Sequence, residues 1–199
     1  MTSFFIYRLP RAKSFIGRSG PVKSGIHTGF LISSFYNHSS ALLTIEADKD
    51  FSLEDLRKWQ KDNASGKEDE GTESVQRLYP LPVRSTSKED HLENVAAMVS
   101  YLCQGEKAIC CAAICGNRPI HLADSLISLG TSFPDAMVFC FFTPQSGLWI
   151  GASPELLLQK SDDSLFTMAL AGTRLADTQK AWDEKNIEEQ KMVANYIAS

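Results

Sequence analysis

The sequence has no excess of positive charge and no apolar run long enough to cross a membrane. Of its 199 residues, 20 are Lys or Arg and 24 are Asp or Glu, so the net charge is -4. This balance provides no basic field that could hold nucleic acid or an anionic membrane. Residues 1–8 are not a signal peptide, because their apolar run is too short and the charged Arg8 follows it too early. We therefore expect a cytoplasmic protein without nucleic-acid or membrane partners.

Cysteine is present, but in no spacing that is typical of a metal site. The five cysteines are Cys103, Cys110, Cys111, Cys115 and Cys140. They lack the two-pair spacing of a zinc site, and no histidine stands near them in the right pattern. We therefore predict buried thiols in a reducing compartment. The composition, 43% hydrophobic and 22% charged, is typical of a globular protein of one domain or two small ones.

Two apolar segments around a short polar turn form the most informative stretch of the chain. Residues 151–158 read GASPELLL, residues 169–174 read ALAGTR, and the polar turn lies at 160–164. This pattern predicts two strands joined by a hairpin-like loop. Glu155 follows a Ser-Pro corner and precedes three leucines, where poor solvation would raise its pKa. A general acid that works near neutral pH needs such a pKa; the alternative is an ordinary solvent-facing glutamate.

A lysine stands at the start of a second apolar segment. Residues 106–116 are apolar on both faces, which predicts a buried central strand. It follows a predicted helix that begins at Ser87 and closes at Gly105. Desolvation beside this strand would lower the pKa of Lys107 and suit it to act as a general base. The alternative is a strand-end lysine whose ammonium extends into water.

The last segment predicts a helix with a carboxylate on its apolar side. Asp183 is a suitable N-cap, and Glu189 falls in line with Val193 and Tyr196 on a predicted buried stripe. A carboxylate on the core side of a helix must be paired or bind a cation. The alternative is a salt bridge with Lys185, which would contribute little to stability.

The remaining patterns predict mixed α and β structure. Strands are expected within residues 4–46, above all at 29–35 and 40–45, and a hairpin is expected from 135–143 and 147–151. One helix is expected from Ser52 to Gln60, with Asp55 in a capping box, and another from His121 to an end at Gly130. Residues 61–71 are expected to form a loop.

GASPELLL followed by ALAGTR resembles the chorismate-utilising enzymes, the family of isochorismate, salicylate, anthranilate and aminodeoxychorismate synthases. The resemblance implies an α+β fold of antiparallel β-sheets packed by helices. It covers nearly the whole chain, but only the N-terminal half of the family's catalytic domain. Residues 1–199 are therefore expected to be the truncated N-terminal part of a single chorismate-binding domain. The missing C-terminal half is expected in cis, and this chain alone is expected to be inactive.

The resemblance also implies a role for each candidate residue. Lys107 would activate water, Glu155 would protonate the departing hydroxyl, and Glu189 would hold Mg²⁺ against a carboxylate of chorismate. The substrate pocket would be lined by Ala171, Gly172 and Thr173. The chain departs from the family's motifs in a few places: Cys110, Cys111 and Ala112 replace the usual Leu, Ser and Arg, Gln190 replaces His, and Asn186 replaces Asp or Glu.

Two positions distinguish members of the family from one another. Ammonia-using relatives usually carry Gln where Lys107 stands, and aminodeoxychorismate synthases carry a nucleophilic Lys where Ala171 stands. A basic lysine with an inert alanine fits water as the nucleophile, which favours isochorismate synthase of the menaquinone or siderophore type. The alternatives are a salicylate synthase, another chorismate-utilising synthase, or a non-catalytic relative that only binds the ligand.

Overall fold

The structure is a computed structural model that describes residues 2–33, 42–63, 85–102, 108–116, 120–176 and 180–199. Its strands are β1 (Phe4–Arg8), β2 (Ile16–Ser19), β3 (Val22–Ser24), β4 (Phe30–Ser33), β5 (Leu42–Ile45), β6 (Lys49–Asp50), β7 (Met137–Thr143), β8 (Gly147–Ser153), β9 (Gln159–Ser161) and β10 (Ser164–Phe166). Its helices are α1 (Leu53–Asn63), α2 (Lys88–Tyr101), α3 (Leu122–Ser132) and α4 (Glu184–Ala198). The chain divides into two compact units, residues 1–81 with 117–155 and residues 82–116 with 156–199.

The first unit is built on an antiparallel sheet in the order β6-β2-β1-β7-β8. Side chains alternate along the central strand β1, so its two faces bury different neighbours. Phe4 and Ile6 belong to a core with residues of α1 and α3. Phe5 points to the opposite face and packs with residues of the second antiparallel sheet, β3-β5-β4. Antiparallel sheets with helices packed on them confirm the predicted α+β class.

The predicted helix starts and the main hairpin are confirmed. Ser52 and Asp55 cap α1 reciprocally, since each backbone N–H donates to the other's side chain, at 2.8 and 3.1 Å. Ser87 accepts from the Asp90 N–H at 2.9 Å at the start of α2, whose expected end at Gly105 lies outside the described residues. Strands β7 and β8 form the expected hairpin. The expected turn between β4 and β5 lies outside the described residues.

Two helix ends differ from the prediction. Helix α1 continues to Asn63 instead of stopping at Gln60, and the rest of the expected 61–71 loop lies outside the described residues. Helix α3 passes through Gly130 and ends at Ser132. Gly130 does not end the helix because its carbonyl is satisfied by Arg8, whose Nη1 donates to it at 2.8 Å.

The buried central strand predicted over 106–116 is wrong for the described part of that segment. Residues 108–116 form no regular strand and are mostly exposed; Ile114 is 93% exposed. The segment is held to residues 85–86 by a few hydrogen bonds, such as Thr86 N–H to the Ala113 carbonyl at 2.8 Å. A buried strand needs a hydrogen-bonded neighbour along its length, and this short pairing does not provide one.

The prediction of buried thiols holds for one of the four described cysteines. Cys140 is fully buried in β7, whereas Cys110 is half-buried and Cys111 and Cys115 are exposed. The three differ from Cys140 because the strand expected to bury them does not form. In the part of the chain that the structure describes, no helix is long and apolar enough to cross a membrane.

The hairpin expected around the polar turn 160–164 is confirmed, but it is short. Strands β9 and β10 pair antiparallel across a turn in which Asp162 has a φ of 50°. Residues 169–174, expected as the second strand, have no regular structure. The apolar residues of this pattern are exposed, and Leu157 is 91% exposed. Because these side chains are not buried, nothing favours a longer pairing of β9 with β10.

Candidate functional site

Glu155 stands just beyond the edge strand of the first unit's sheet. The last paired residue of β8 is Ser153, opposite Met137. Pro154 has no N–H to continue the ladder, so the chain leaves the sheet there. The Glu155 side chain is exposed. The predicted desolvation of this carboxyl is therefore wrong for this structure, and its role as a general acid stays a prediction.

Lys107 lies outside the described residues. Its sequence neighbour Ala108 lines a cavity of about 540 Å³ in the second unit, which we call the Glu189 cavity. The other residues that line it are Leu102, Glu184, Lys185, Glu188, Glu189 and Met192. The cavity is thus bordered by Leu102 and Ala108, which precede and follow Lys107 in sequence, and by Glu189, the residue predicted to bind a cation.

Glu189 lies on α4, which begins as predicted. Asp183 accepts hydrogen bonds from the backbone N–H and the side-chain amide of Asn186, both at 2.8 Å. Glu189 and Val193 are half-buried, but Tyr196 is 83% exposed. The predicted buried stripe is therefore wrong for the last turns of the helix, because nothing in the described part of the chain covers them.

The chemistry of the Glu189 cavity fits Mg²⁺ in one respect. Mg²⁺ prefers carboxylate oxygens and takes one or two of them, together with waters and oxygens of the substrate. Glu189 can supply such a carboxylate, with Glu184 and Glu188 on the same cavity. No group of three or more His, Cys, Asp or Glu among the described residues is arranged to hold a metal ion. Carboxylates of the described residues alone would therefore not complete a Mg²⁺ site at this cavity.

Two of the three predicted substrate-binding residues, Gly172 and Thr173, lie near the start of α4. Gly172 has a φ of +70°, and a Cβ at this position would collide with the side-chain amide of Asn186. Glycine is therefore required for this close approach. The segment is further tied to α4 by Gln190, whose Nε2 donates to the Ala169 carbonyl at 3.4 Å. Thr173 lines a second cavity, of about 230 Å³.

This second cavity, which we call the α4 N-terminal cavity, reveals two residues to which the sequence analysis gave no role. The Arg174 guanidinium lies over the Trp182 ring at 4.4 Å from its centroid. Its Nη1 also donates to the Lys180 carbonyl at 2.6 Å. Together these contacts hold the residues after Thr173 against the start of α4. The only sequence signal was an arginine and a tryptophan flanking a polar loop.

The comparisons with known proteins agree with the resemblance in the motifs. A family model described as chorismate binding enzyme matches residues 24–197. No curated protein matches the chain, and no solved structure does. Because the family model spans most of the 199 residues, the chain belongs to the chorismate-binding enzyme family.

Proposed function

We propose that the protein, at its full natural length, converts chorismate to isochorismate in a Mg²⁺-dependent reaction. Membership of the chorismate-binding enzymes supports chorismate as the substrate. The choice of reaction depends on one observation, the presence of Lys107 together with Ala171. This pair provides a base for water and leaves no amine nucleophile at position 171.

The reaction exchanges one hydroxyl of the ring for another at a different carbon. Water is a poor nucleophile and hydroxide a poor leaving group, so the exchange needs a base and an acid. Lys107, as a neutral amine, takes a proton from the attacking water as the new C–O bond forms. Glu155, as a carboxylic acid, gives a proton to the departing hydroxyl, which leaves as water. The product is an isomer of the substrate.

The loop 171–173 would bind the ring. Gly172 brings the backbone close to its neighbours because it has no Cβ. Thr173 adds a hydroxyl at the rim of the α4 N-terminal cavity. The Arg174 contacts with Trp182 and Lys180 would help to hold this loop in position for the substrate.

Glu189 would hold the metal ion. Its carboxylate borders the Glu189 cavity, which has room for hydrated Mg²⁺ and a substrate carboxylate. When bound, the cation would neutralise the repulsion between the carboxylates of chorismate. Lys185, one turn earlier on the same cavity, adds a positive charge that favours an anionic substrate.

The runner-up is a salicylate synthase, which would go on to eliminate pyruvate from isochorismate. A non-catalytic relative that only binds the ligand is favoured by Cys110, Cys111 and Ala112 in place of the usual motif. Product analysis distinguishes these reactions. Full-length protein incubated with chorismate and Mg²⁺ is expected to form isochorismate, and EDTA is expected to abolish its formation.

Each of the other possible products would indicate a different reaction. Salicylate with pyruvate would favour the salicylate synthase, and anthranilate formed only with ammonium would overturn water as the nucleophile. Chorismate that binds without turnover would favour the binding-only relative. The 199-residue chain by itself is expected to be inactive, because Glu155 is exposed and 108–116 does not form the predicted strand. Mg²⁺-dependent isochorismate from that chain would contradict this expectation.

A further inference from the structure

A thiol and an imidazole lie together in the second unit. The Cys110 Sγ is 3.8 Å from the His91 Nδ1. Both residues are half-buried. The two neighbouring cysteines, Cys111 and Cys115, are exposed.

The pair is held in place by the start of α2. His91 lies in the first turns of α2 after the N-cap Ser87. Two hydrogen bonds fasten the cysteine segment just outside this helix end, from Ala113 N–H to the Thr86 hydroxyl at 2.9 Å and from Cys115 N–H to the Ser85 hydroxyl at 2.8 Å. These contacts hold the residues that follow Cys110 against the residues that precede α2.

The His91 ring nitrogen lies where it can accept the proton of the Cys110 thiol. Loss of that proton gives the thiolate, which is the nucleophilic form of cysteine. The imidazole contact is therefore the feature that distinguishes Cys110 from Cys111, which is the adjacent residue of the same segment.

We propose that Cys110 is a modification site that reacts with hydroperoxides, with His91 as the base and then the acid of that reaction. The Cys110 sulfur attacks one peroxide oxygen, so that an S–O bond forms as the O–O bond breaks. The sulfur is oxidised by two electrons to sulfenic acid, and the peroxide is reduced to water or an alcohol. His91 takes the thiol proton and returns it to the leaving oxygen.

The modification itself does not rest on the proposed function. An effect of the modification on chorismate turnover would rest on that function. Such an effect would arise because Cys110 closely follows Lys107, the proposed base, in sequence. The test therefore measures the modification alone. A failure of the isochorismate assay would leave its outcome unchanged.

The experiment exposes the folded chain to hydrogen peroxide with dimedone, and assigns the label to each cysteine by fragment ions in peptide mass spectrometry. We expect Cys110 to be labelled several-fold faster than Cys111. His91→Ala, which preserves helix α2 because alanine is the best helix former, is expected to remove this preference. Added imidazole is expected to restore labelling of Cys110 in that variant, with no comparable gain at Cys111.

Cys140 is the internal control for folding, because it is fully buried and should stay unlabelled in every sample. Cys110→Ser is expected to lose the fast label and Cys111→Ser to keep it. Equal labelling of Cys110 and Cys111 in the wild-type chain would overturn the proposal. Fast labelling of Cys110 that persists in His91→Ala, with Cys140 still protected, would also overturn it.

Discussion

The Arg8 Nη1 in strand β1 donates a hydrogen bond to the carbonyl of Gly130 in helix α3, at 2.8 Å. Arg8 is only 8% exposed, and its Nη2 donates to the Phe133 carbonyl at 2.9 Å. The last carbonyls of a helix have no partner within the helix, and a cation near them is favourable. A side chain of the central strand therefore completes the end of α3 and joins the helix to the sheet.

We predict that Arg8→Met destabilises the chain. Each buried acceptor left without a partner costs about 1–3 kcal/mol, so a loss of at least about 2 kcal/mol is expected in urea denaturation. Arg11→Met is the matched control. Arg11 pairs with Asp135 at 2.6 Å, but both side chains are exposed and solvent screens the pair, so its loss should change the urea midpoint much less than the loss of Arg8. Equal effects of the two substitutions would refute the capping role of Arg8.

A second prediction concerns Gly172 in the loop 171–173. Gly172→Ala places a Cβ where φ is +70° and where Asn186 and Trp182 leave no room. We expect a loss of about 1–2 kcal/mol and a shifted indole N–H resonance of Trp182, assigned by Trp182→Phe. Gly116→Ala is the control, since a Cβ there meets nothing within 4 Å. An unchanged Trp182 resonance in Gly172→Ala would show that the loop tolerates the side chain.

A third prediction follows from the burial of Cys140, which raises the pKa of its thiol from 9.0 to about 12. Between these values the unfolded chain has released the proton and the folded chain retains it. The free energy of unfolding should therefore fall as the pH rises above 9, by up to about 1.4 kcal/mol per pH unit. Urea denaturation at several pH values should show a shallower decline in Cys140→Ala. Parallel declines in the two proteins would mean that the thiol titrates normally in the fold.

The elements that were predicted correctly depend on local chemistry. Ser52 with Asp55, and Asp183 with Asn186, form caps within three residues of sequence, so the pattern alone locates the helix starts. The hydrogen bond from Ser52 also lowers the pKa of Asp55. Gly147, with a φ of +73°, lies at the tight β7–β8 connection that the sequence predicted.

The predictions that failed depend on distant parts of the chain. Residues 106–116 are apolar enough for a central strand, but a strand is buried only where partners cover it. The sequence around Gly130 predicts a helix end. In the structure its carbonyl accepts a hydrogen bond from Arg8, which is far away in sequence. Likewise, no local pattern indicates that Arg174 would lie over Trp182. The candidate residues were identified from motifs, whereas their exposure could be read only from the structure.

The fourth prediction tests the assigned roles in the full-length protein. Lys107→Ala removes the proposed base and Glu155→Gln removes the proposed acid, so each is expected to abolish chorismate turnover while the circular dichroism spectrum stays unchanged. Lys160→Ala and Glu54→Gln are matched controls on exposed side chains and should retain activity. A variant at 107 or 155 with wild-type turnover would remove that residue from the mechanism.

The most direct test of the central claim is the reaction of the full-length protein with chorismate and Mg²⁺ in water enriched in ¹⁸O. Water is the proposed nucleophile, so isochorismate should carry one ¹⁸O in its new hydroxyl group, as measured by mass spectrometry. The label should disappear together with the product in Lys107→Ala. Isochorismate without ¹⁸O, or a product that contains nitrogen from added ammonium, would contradict the account.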